Sequence, residues 1–189
     1  MNQDALSLTP NAGADDSVLR LSTSVVQRVS IKTEKIAPRQ RQILAAVVIP
    51  CGLEQVWKVL TDYESLADFV PNLTTSRLLG RPDGGIRLEQ IGAQCFLNFK
   101  FCARVILDMT EVFPREIGFS MVEGDFKKFL GKWSLQPALV GERTATVLSY
   151  ELIVQPPLAM PIQLIEHHLC HNLTQNLLAI CDRTTQQFA

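Results

Sequence analysis

The chain has 189 residues with 18 basic and 19 acidic side chains, a net charge of −1, and that balance leaves no basic footprint for nucleic acid or anionic lipid. A domain of this length hides about 70% of the surface its extended chain exposes, so its core could be hollowed and still hold together. Five cysteines, odd in number and scattered (Cys51, Cys95, Cys102, Cys170, Cys181), show no Cys-x-x-Cys spacing. They indicate neither a disulfide framework nor a zinc site, and read as small buried hydrophobes in a reducing, cytoplasmic setting.

Residues 1–17 are polar, carry Asp4, Asp15 and Asp16, and lack a basic stretch followed by an apolar one. They read as a disordered leader rather than a secretory signal, and residues 18–189 as a single domain. No run approaches the roughly 18 apolar residues that cross a bilayer. Ser24 to Glu34 and Gln42 to Ile49 are rich in β-branched residues on either side of Ala37-Pro38-Arg39, which predicts two strands around a turn. After Pro50 the apolar period changes from two to near 3.6: Leu53, Val56, Trp57 and Leu60 share one face of a short helix. Asp62 to Phe69 predicts a second, capped by Asp62 and stopped before Pro71.

Strands follow with hairpin punctuation. Leu73 to Leu79 leads into the turn signal Arg81-Pro82-Asp83-Gly84-Gly85, then Ile86 to Ala93. From Cys95 to Met109 an apolar face (Leu97, Phe99, Phe101, Ala103, Val105, Leu107, Met109) alternates with polar residues, so one side is greasy and the other wet. Ile117, Phe119 and Met121 alternate again up to Gly124-Asp125, as do Phe129, Gly131, Trp133 and Leu135. After Gly141-Glu142-Arg143 the last strand puts Thr146, Leu148, Tyr150, Leu152 and Val154 on one side. Successive strands joined by tight turns favour an antiparallel meander.

The last long stretch, Pro161 to Phe188, reads as one amphipathic helix laid across that sheet. Ile162, Ile165, Leu169, Leu173, Leu177 and Ile180 fall on one stripe, and Pro161 suits the first turn. Glu166 and Asn176 project within about 40° of the stripe's centre, where a dry helix–sheet contact would take Leu. Two readings stay open: both sit at the stripe's margin and reach solvent, or part of the interface is hollow and they line it. The same choice, solid core or container, applies to the aromatic and flexible apolar residues on the sheet face.

Chemistry is sparse. There is no Gly-x-Gly-x-x-Gly, Walker loop, Gly-x-Ser-x-Gly or His-Glu-x-x-His. His167 and His171, spaced i, i+4, could share a metal with Cys170 nearby, but both histidines point away from the buried stripe, so surface histidines and no metal site are expected. Glu166 and Tyr150 could meet in the interior and polarise a carbonyl; a Tyr whose hydroxyl has a structural partner is the plainer reading. The proline-stiffened segment Gln155 to Pro161 is either a rigid connector or a cavity lip that touches a bilayer.

The order of elements and several phrases resemble the START-like, helix-grip (SRPBCC) superfamily, in its polyketide cyclase/dehydrase and coenzyme Q-binding branch. The phrases are Val48-Ile49-Pro50 leading into Val56-Trp57-Lys58-Val59-Leu60-Thr61-Asp62-Tyr63, then Leu66-Ala67-Asp68-Phe69-Val70-Pro71-Asn72 followed by Ser76, and Val122-Glu123-Gly124-Asp125-Phe126-Lys127-Lys128-Phe129-Leu130-Gly131-Lys132-Trp133. They cover about residues 41–188. The resemblance implies an α+β helix-grip fold: a curved antiparallel sheet, with two short helices after its first core strand, wrapped around a long C-terminal helix. It also implies a deep apolar cavity between sheet and helix, with quinones or other lipids as ligands in one branch, poly-β-keto chains as substrates in another, and ribosome assembly in a third. It transfers no catalytic residue and no cofactor.

The expectation is binding and carriage of a hydrophobic small molecule, a prenylquinone or other isoprenoid or acyl lipid, with no nucleic acid partner. Phe99, Phe101, Phe119, Met121, Trp133, Leu148 and Tyr150 are expected to supply the sheet walls. Leu169 and Leu173 would close the helix side, and Glu166 and Asn176 would orient a polar head. The alternatives are a cyclase or aromatase using Tyr150 or Glu166 as general acid or base, and an interaction module on ribosomes or membrane complexes with Leu164, Leu178, His167 and His171 as its contact patch.

Overall fold

A computed structural model of the chain describes residues 18–22, 28–96 and 99–188, and side chains other than those of residues 93–96, 99–101, 164 and 165. The expected leader, the start of the Ser24–Glu34 strand and Leu97 fall outside the described residues, as do the side chains of Phe99, Phe101 and Leu164. The elements run β1 (Leu19–Leu21), β2 (Ser30–Ala37), β3 (Gln40–Ile49), α1 (Leu53–Thr61), a 3-10 turn (Tyr63–Ser65), α2 (Leu66–Phe69), β4 (Leu73–Leu79), β5 (Ile86–Phe96), β6 (Phe99–Val112), β7 (Glu116–Gly124), β8 (Lys128–Val140), β9 (Arg143–Gln155) and α3 (Ile162–Phe188).

Eight strands form one antiparallel path, β2-β3-β9-β8-β7-β6-β5-β4. The tight turns make β4 to β9 a meander, and β9 returns to lie beside β3, with Val47 opposite Leu148 and Ala45 opposite Tyr150. The sheet curves around α3, which is the helix-grip architecture. β1 was not legible in advance: it pairs in parallel with the far end of β8, Leu19 opposite Ala138 and Leu21 opposite Val140. β7 has already left β8 there, its last partner being Ser134. Pro137, which has no N–H to give a further ladder, sits between the two pairings. Leu19 and Leu21 cover a small second core of Val48, Ala138, Val140, Ala145 and Val147 on the outer face of the sheet.

The helices follow from local sequence with one correction. α1 begins at Leu53 because Gly52 N–H is satisfied by Gln55 Oε1 at 2.7 Å, and its Val56, Trp57, Val59 and Leu60 are buried. The second expected helix is a 3-10 turn followed by a single α turn, and Asp62 makes no side-chain capping bond. Seven residues are too few for a helical period to establish itself. In α3 the polar residues inside the helix are satisfied locally: Thr184, fully buried, donates to Ile180 O at 2.7 Å.

The main core is uneven. The C-terminal half of α3, through Leu177, Ile180 and Cys181, packs against α1 and β3. Ile43, Val47, Ile49, Leu135 and Leu148 are fully buried in the same cluster. The N-terminal half of α3 lies over a different arrangement.

Candidate functional site

Beneath that half of α3 the sheet does not fill the space it encloses. A cavity of about 590 Å³ remains, within the range usual for small-molecule sites. Its sheet wall is the inward alternation anticipated from β6 and β7: Ala103, Val105, Leu107 and Met109, then Ile117 and Phe119. β8 and β9 add Phe129, Trp133, Tyr150 and Leu152, and α3 closes the roof with His168, Leu169, Asn172, Leu173, Asn176 and Ile180.

An aromatic band crosses this wall. Ring centroids lie 5.3 Å apart for Phe126 and Phe129, 5.8 Å for Phe129 and Phe119, 5.6 Å for the stacked Phe119 and Tyr150, and 4.3 Å for Tyr150 and Trp133. Gly131 makes the band possible. A Cβ there would stand 2.8 Å from Phe119 Cζ and 1.9 Å from Glu151 O, so only glycine lets the Phe119 ring lie flat across β8.

The rim is built from two connectors, both held by polar contacts. Residues 70–73, between α2 and β4, include Asn72 in the left-handed conformation (φ 62°), which Asn tolerates. The Asn176 amide, oriented to satisfy its neighbours, donates to Pro71 O at 3.2 Å and Asn172 O at 3.1 Å. The segment between β9 and α3 contributes Ala159, Met160 and Pro161 to the lining. From the β2–β3 turn, Arg39 Nη2 donates to Pro157 O at 2.9 Å and Met160 O at 2.7 Å and pins that segment down. Leu158 at its crest is 81% exposed.

Of the side chains singled out from sequence, Phe119, Trp133, Tyr150, Leu169, Leu173 and Asn176 line the cavity. Leu148 does not: it is fully buried in the solid part of the core, opposite Leu135 of β8. Met121 shares the inner face, but a register shift between Ile106 and Leu107 interrupts β6–β7 pairing beside it. It packs on the core next to Gly124 instead. Glu166 is also off the cavity, accepting from Arg41 Nε at 2.6 Å where α3 meets β3. Glu166 and Tyr150 therefore do not meet to polarise a carbonyl, and of the two acid–base candidates only Tyr150 lines the cavity. His167 and His171 are exposed, and among the described residues no group of three His, Cys, Asp or Glu is placed to hold a metal.

Sequence reasoning missed Tyr63, Leu66, Val70 and Leu88, as well as Gln90 and His168. His168 is the neighbour of a residue dismissed as external, and one step along a helix turns a side chain by about 100°. Gln90 sits on a strand whose apolar alternation was unremarkable.

The electrostatics of the lining are uniform. Among the described residues that form it there is no Asp, Glu, Lys or Arg. Its polar groups mostly answer to the protein. Tyr63 Oη donates to Glu111 Oε1 at 2.5 Å, and burial together with that carboxylate pushes its pKa well above the usual tyrosine value. Gln90 Nε2 donates to Ser76 Oγ at 3.3 Å, and Ser76 Oγ to Tyr63 O at 2.5 Å. Tyr150 differs: burial alone pushes its pKa up, and its hydroxyl makes no hydrogen bond among the described residues. It remains a neutral donor at any physiological pH.

No helix among the described residues is long and apolar enough to cross a membrane. In overall shape the chain is similar to a START superfamily protein from Mycobacterium smegmatis, with a TM-score of 0.63 and 18% identity over 77% of this chain and 98% of that one. It is similar also to the ZhuI aromatase/cyclase from a Streptomyces species, with a TM-score of 0.61 and 18% identity over 79% and 96%. In sequence it is 27% identical over 96 residues to the Escherichia coli K12 protein named ribosome association toxin RatA, a match spanning 51% of this chain and 58% of that protein. Residues 49–178, more than half of the chain, match the family described as polyketide cyclase / dehydrase and lipid transport, and the chain belongs to that family.

Proposed function

We propose that the chain binds and carries a hydrophobic small molecule, with a prenylquinone as first candidate and other isoprenoid or acyl lipids next, residues 18–189 acting as one ligand-binding unit. The observation that carries this reading is the cavity itself: about 590 Å³ of space, walled by aromatic and aliphatic side chains and left open by the described residues. Each ligand methylene moved there from water contributes roughly 0.8 kcal/mol, so a long apolar body needs few polar contacts. The work is done in the cytoplasm, and the crest of the Pro156–Pro161 segment, with Leu158 exposed, is where the rim touches a bilayer during loading.

Native mass spectrometry of the purified protein, with extraction of co-purified lipid, tests this directly. A bound apolar molecule is expected. A protein that is always empty, and takes up neither a prenylquinone nor a fatty acid on titration, refutes it.

One observation favours a second reading, contact with ribosomes: the similarity to the protein named ribosome association toxin RatA. In that reading the outward face of α3 is the contact patch, and the chain co-sediments with ribosomes in a manner abolished by Leu164→Glu. Indifference to that substitution counts against it. A cyclase role has no carboxylate in the described lining to act as its base.

A further inference from the structure

Resting on the carrier reading, we infer that Tyr150, with Trp133 beside it, docks the carbonyl oxygen of a flat, uncharged ligand against the cavity wall. A hydroxyl that faces an apolar cavity gains a hydrogen bond from any acceptor placed there. Tyr150 is 7% exposed, lines the cavity, and its hydroxyl has no hydrogen-bond partner among the described residues. The indole N–H of Trp133, whose ring lies 4.3 Å from that of Tyr150, also makes no hydrogen bond among them. Two donors on neighbouring rings suit an acceptor, and a carbonyl oxygen has two lone pairs to offer.

The polar side chains expected to orient a head group are engaged elsewhere, Glu166 with Arg41 and Asn176 with the main chain at Pro71 and Asn172. That leaves the Tyr150 region as a place on the sheet wall where a ligand oxygen gains a hydrogen bond.

The charge and shape of the ligand follow from the same wall. Among the described residues that form the lining there is no Asp, Glu, Lys or Arg, and its one imidazole, His168, sits on the α3 roof. An ionised group brought to Tyr150 would lose its hydration with no counter-charge to replace it. Tyr150 lies five residues inside the end of β9 at Gln155, roughly 16 Å along the strand, too far in for a charged head to remain in bulk water. The stacked Phe119 and the tilted Trp133 flank Tyr150 with ring faces, which suits a planar conjugated carbonyl better than a saturated one.

Three two-ring probes of matched size separate these terms: 2-acetylnaphthalene with its carbonyl, 2-ethylnaphthalene with no acceptor, and 2-naphthoate with a charge. Their affinities are read by displacement of Nile red from the full chain at neutral pH. The ketone is expected to bind about fivefold more tightly than the hydrocarbon, the worth of one hydrogen bond, and about tenfold or more tightly than the carboxylate. In Tyr150→Phe the ketone-to-hydrocarbon ratio falls most of the way to one, and in Trp133→Phe it falls by a smaller amount. A ratio unchanged in both variants, or 2-naphthoate binding as tightly as the ketone, overturns the inference while leaving carriage intact. Failure of all three probes, and of Nile red, to bind the wild-type chain overturns the carrier reading and this inference together. Because the Tyr150 hydroxyl has no partner to lose among the described residues, Tyr150→Phe should melt with the wild type; if it does not, the Trp133→Phe ratio decides.

Discussion

Leu148 and Leu173 both point into the space between sheet and helix, yet truncating them should have different consequences, because one faces atoms and the other faces a void. Leu148 is fully buried, with Val47 and Leu135 opposite it on the two flanking strands. Leu148→Ala leaves a hole that β-sheet neighbours cannot collapse into, which costs about 3–5 kcal/mol. Leu173 is 6% exposed and lines the cavity. Its truncation widens a space that already exists and forfeits dispersion contacts on one side only, so about 1–2 kcal/mol is expected. For a domain of this length that separates losses of about 10 °C or more from about 5 °C in melting temperature. Equilibrium urea unfolding, with unchanged slopes, gives the free energies. A companion pair makes the test two-sided: Leu173→Trp projects into the void, is tolerated within about 1 kcal/mol and weakens ligand uptake, whereas Leu148→Trp overpacks a filled site and destabilises by about 1–3 kcal/mol. Equal losses for the two alanine variants, or Leu173→Trp destabilising as much as Leu148→Trp, would refute the division into a solid and a hollow half.

Three further outcomes follow from single contacts. Arg41 and Glu166 have side chains 11% and 29% exposed, between the surface and buried limits for ion pairs, so Glu166→Gln should cost about 1–2 kcal/mol. It should leave lipid affinity nearly unchanged, and a large affinity loss would put Glu166 back in the cavity. Gly131→Ala forces a Cβ against Glu151 O and the Phe119 ring; a loss of about 2–3 kcal/mol, with a changed near-ultraviolet circular dichroism signal from the Phe119–Tyr150 stack, is expected. Glu89 accepts from Arg104 Nε at 2.6 Å and from Arg77 Nε, and these two guanidinium groups, Arg104 first, hold its carboxyl below the usual glutamate range. Its folded pKa is depressed, so its stabilisation is present above the unfolded value and lost as pH falls through the folded one. Melting temperature should decline as pH drops below the ordinary glutamate range, and Glu89→Gln should flatten that decline; an unaltered profile would argue against the pairing.

The strands and long helix were readable because their periods are sustained. Leu73–Leu79 was predicted to the residue, and the apolar run ending at Leu107 and Met109 faces inward as its alternation requires. β1 was not readable: three residues cannot show a period, and parallel addition beside Pro137 depends on β7 having ended at a point no local pattern encodes. The Asp62 cap failed for a related reason, since a 3-10 turn does not present the free N–H groups of an α-helical first turn in the expected geometry. At the site, alternation established which face each residue takes but not how much lies above it. Leu148 and Tyr150 are two residues apart on the same face of β9, and one meets packed side chains while the other meets space. What separates them is the position of α1 and of the C-terminal half of α3, a tertiary fact.

The two polar residues on the α3 stripe show what such an interruption does mean. A carboxylate and an amide on the buried side of a helix require partners, and each has found them where the helix changes neighbours: Glu166 at β3, Asn176 at the connector before β4. From Leu177 onward the stripe is apolar but for Thr184, whose hydroxyl donates to Ile180 O, and the packing is continuous. Over the hollow half the roof has fewer apolar contacts to hold it, and directional contacts at the edge, with Arg39 on the β9–α3 segment as the third, supply the position that close packing supplies elsewhere. Glu166 and Asn176 thus mark the edges of the empty space, and the group that meets a ligand has to be sought among side chains without a partner among the described residues, as Tyr150 is.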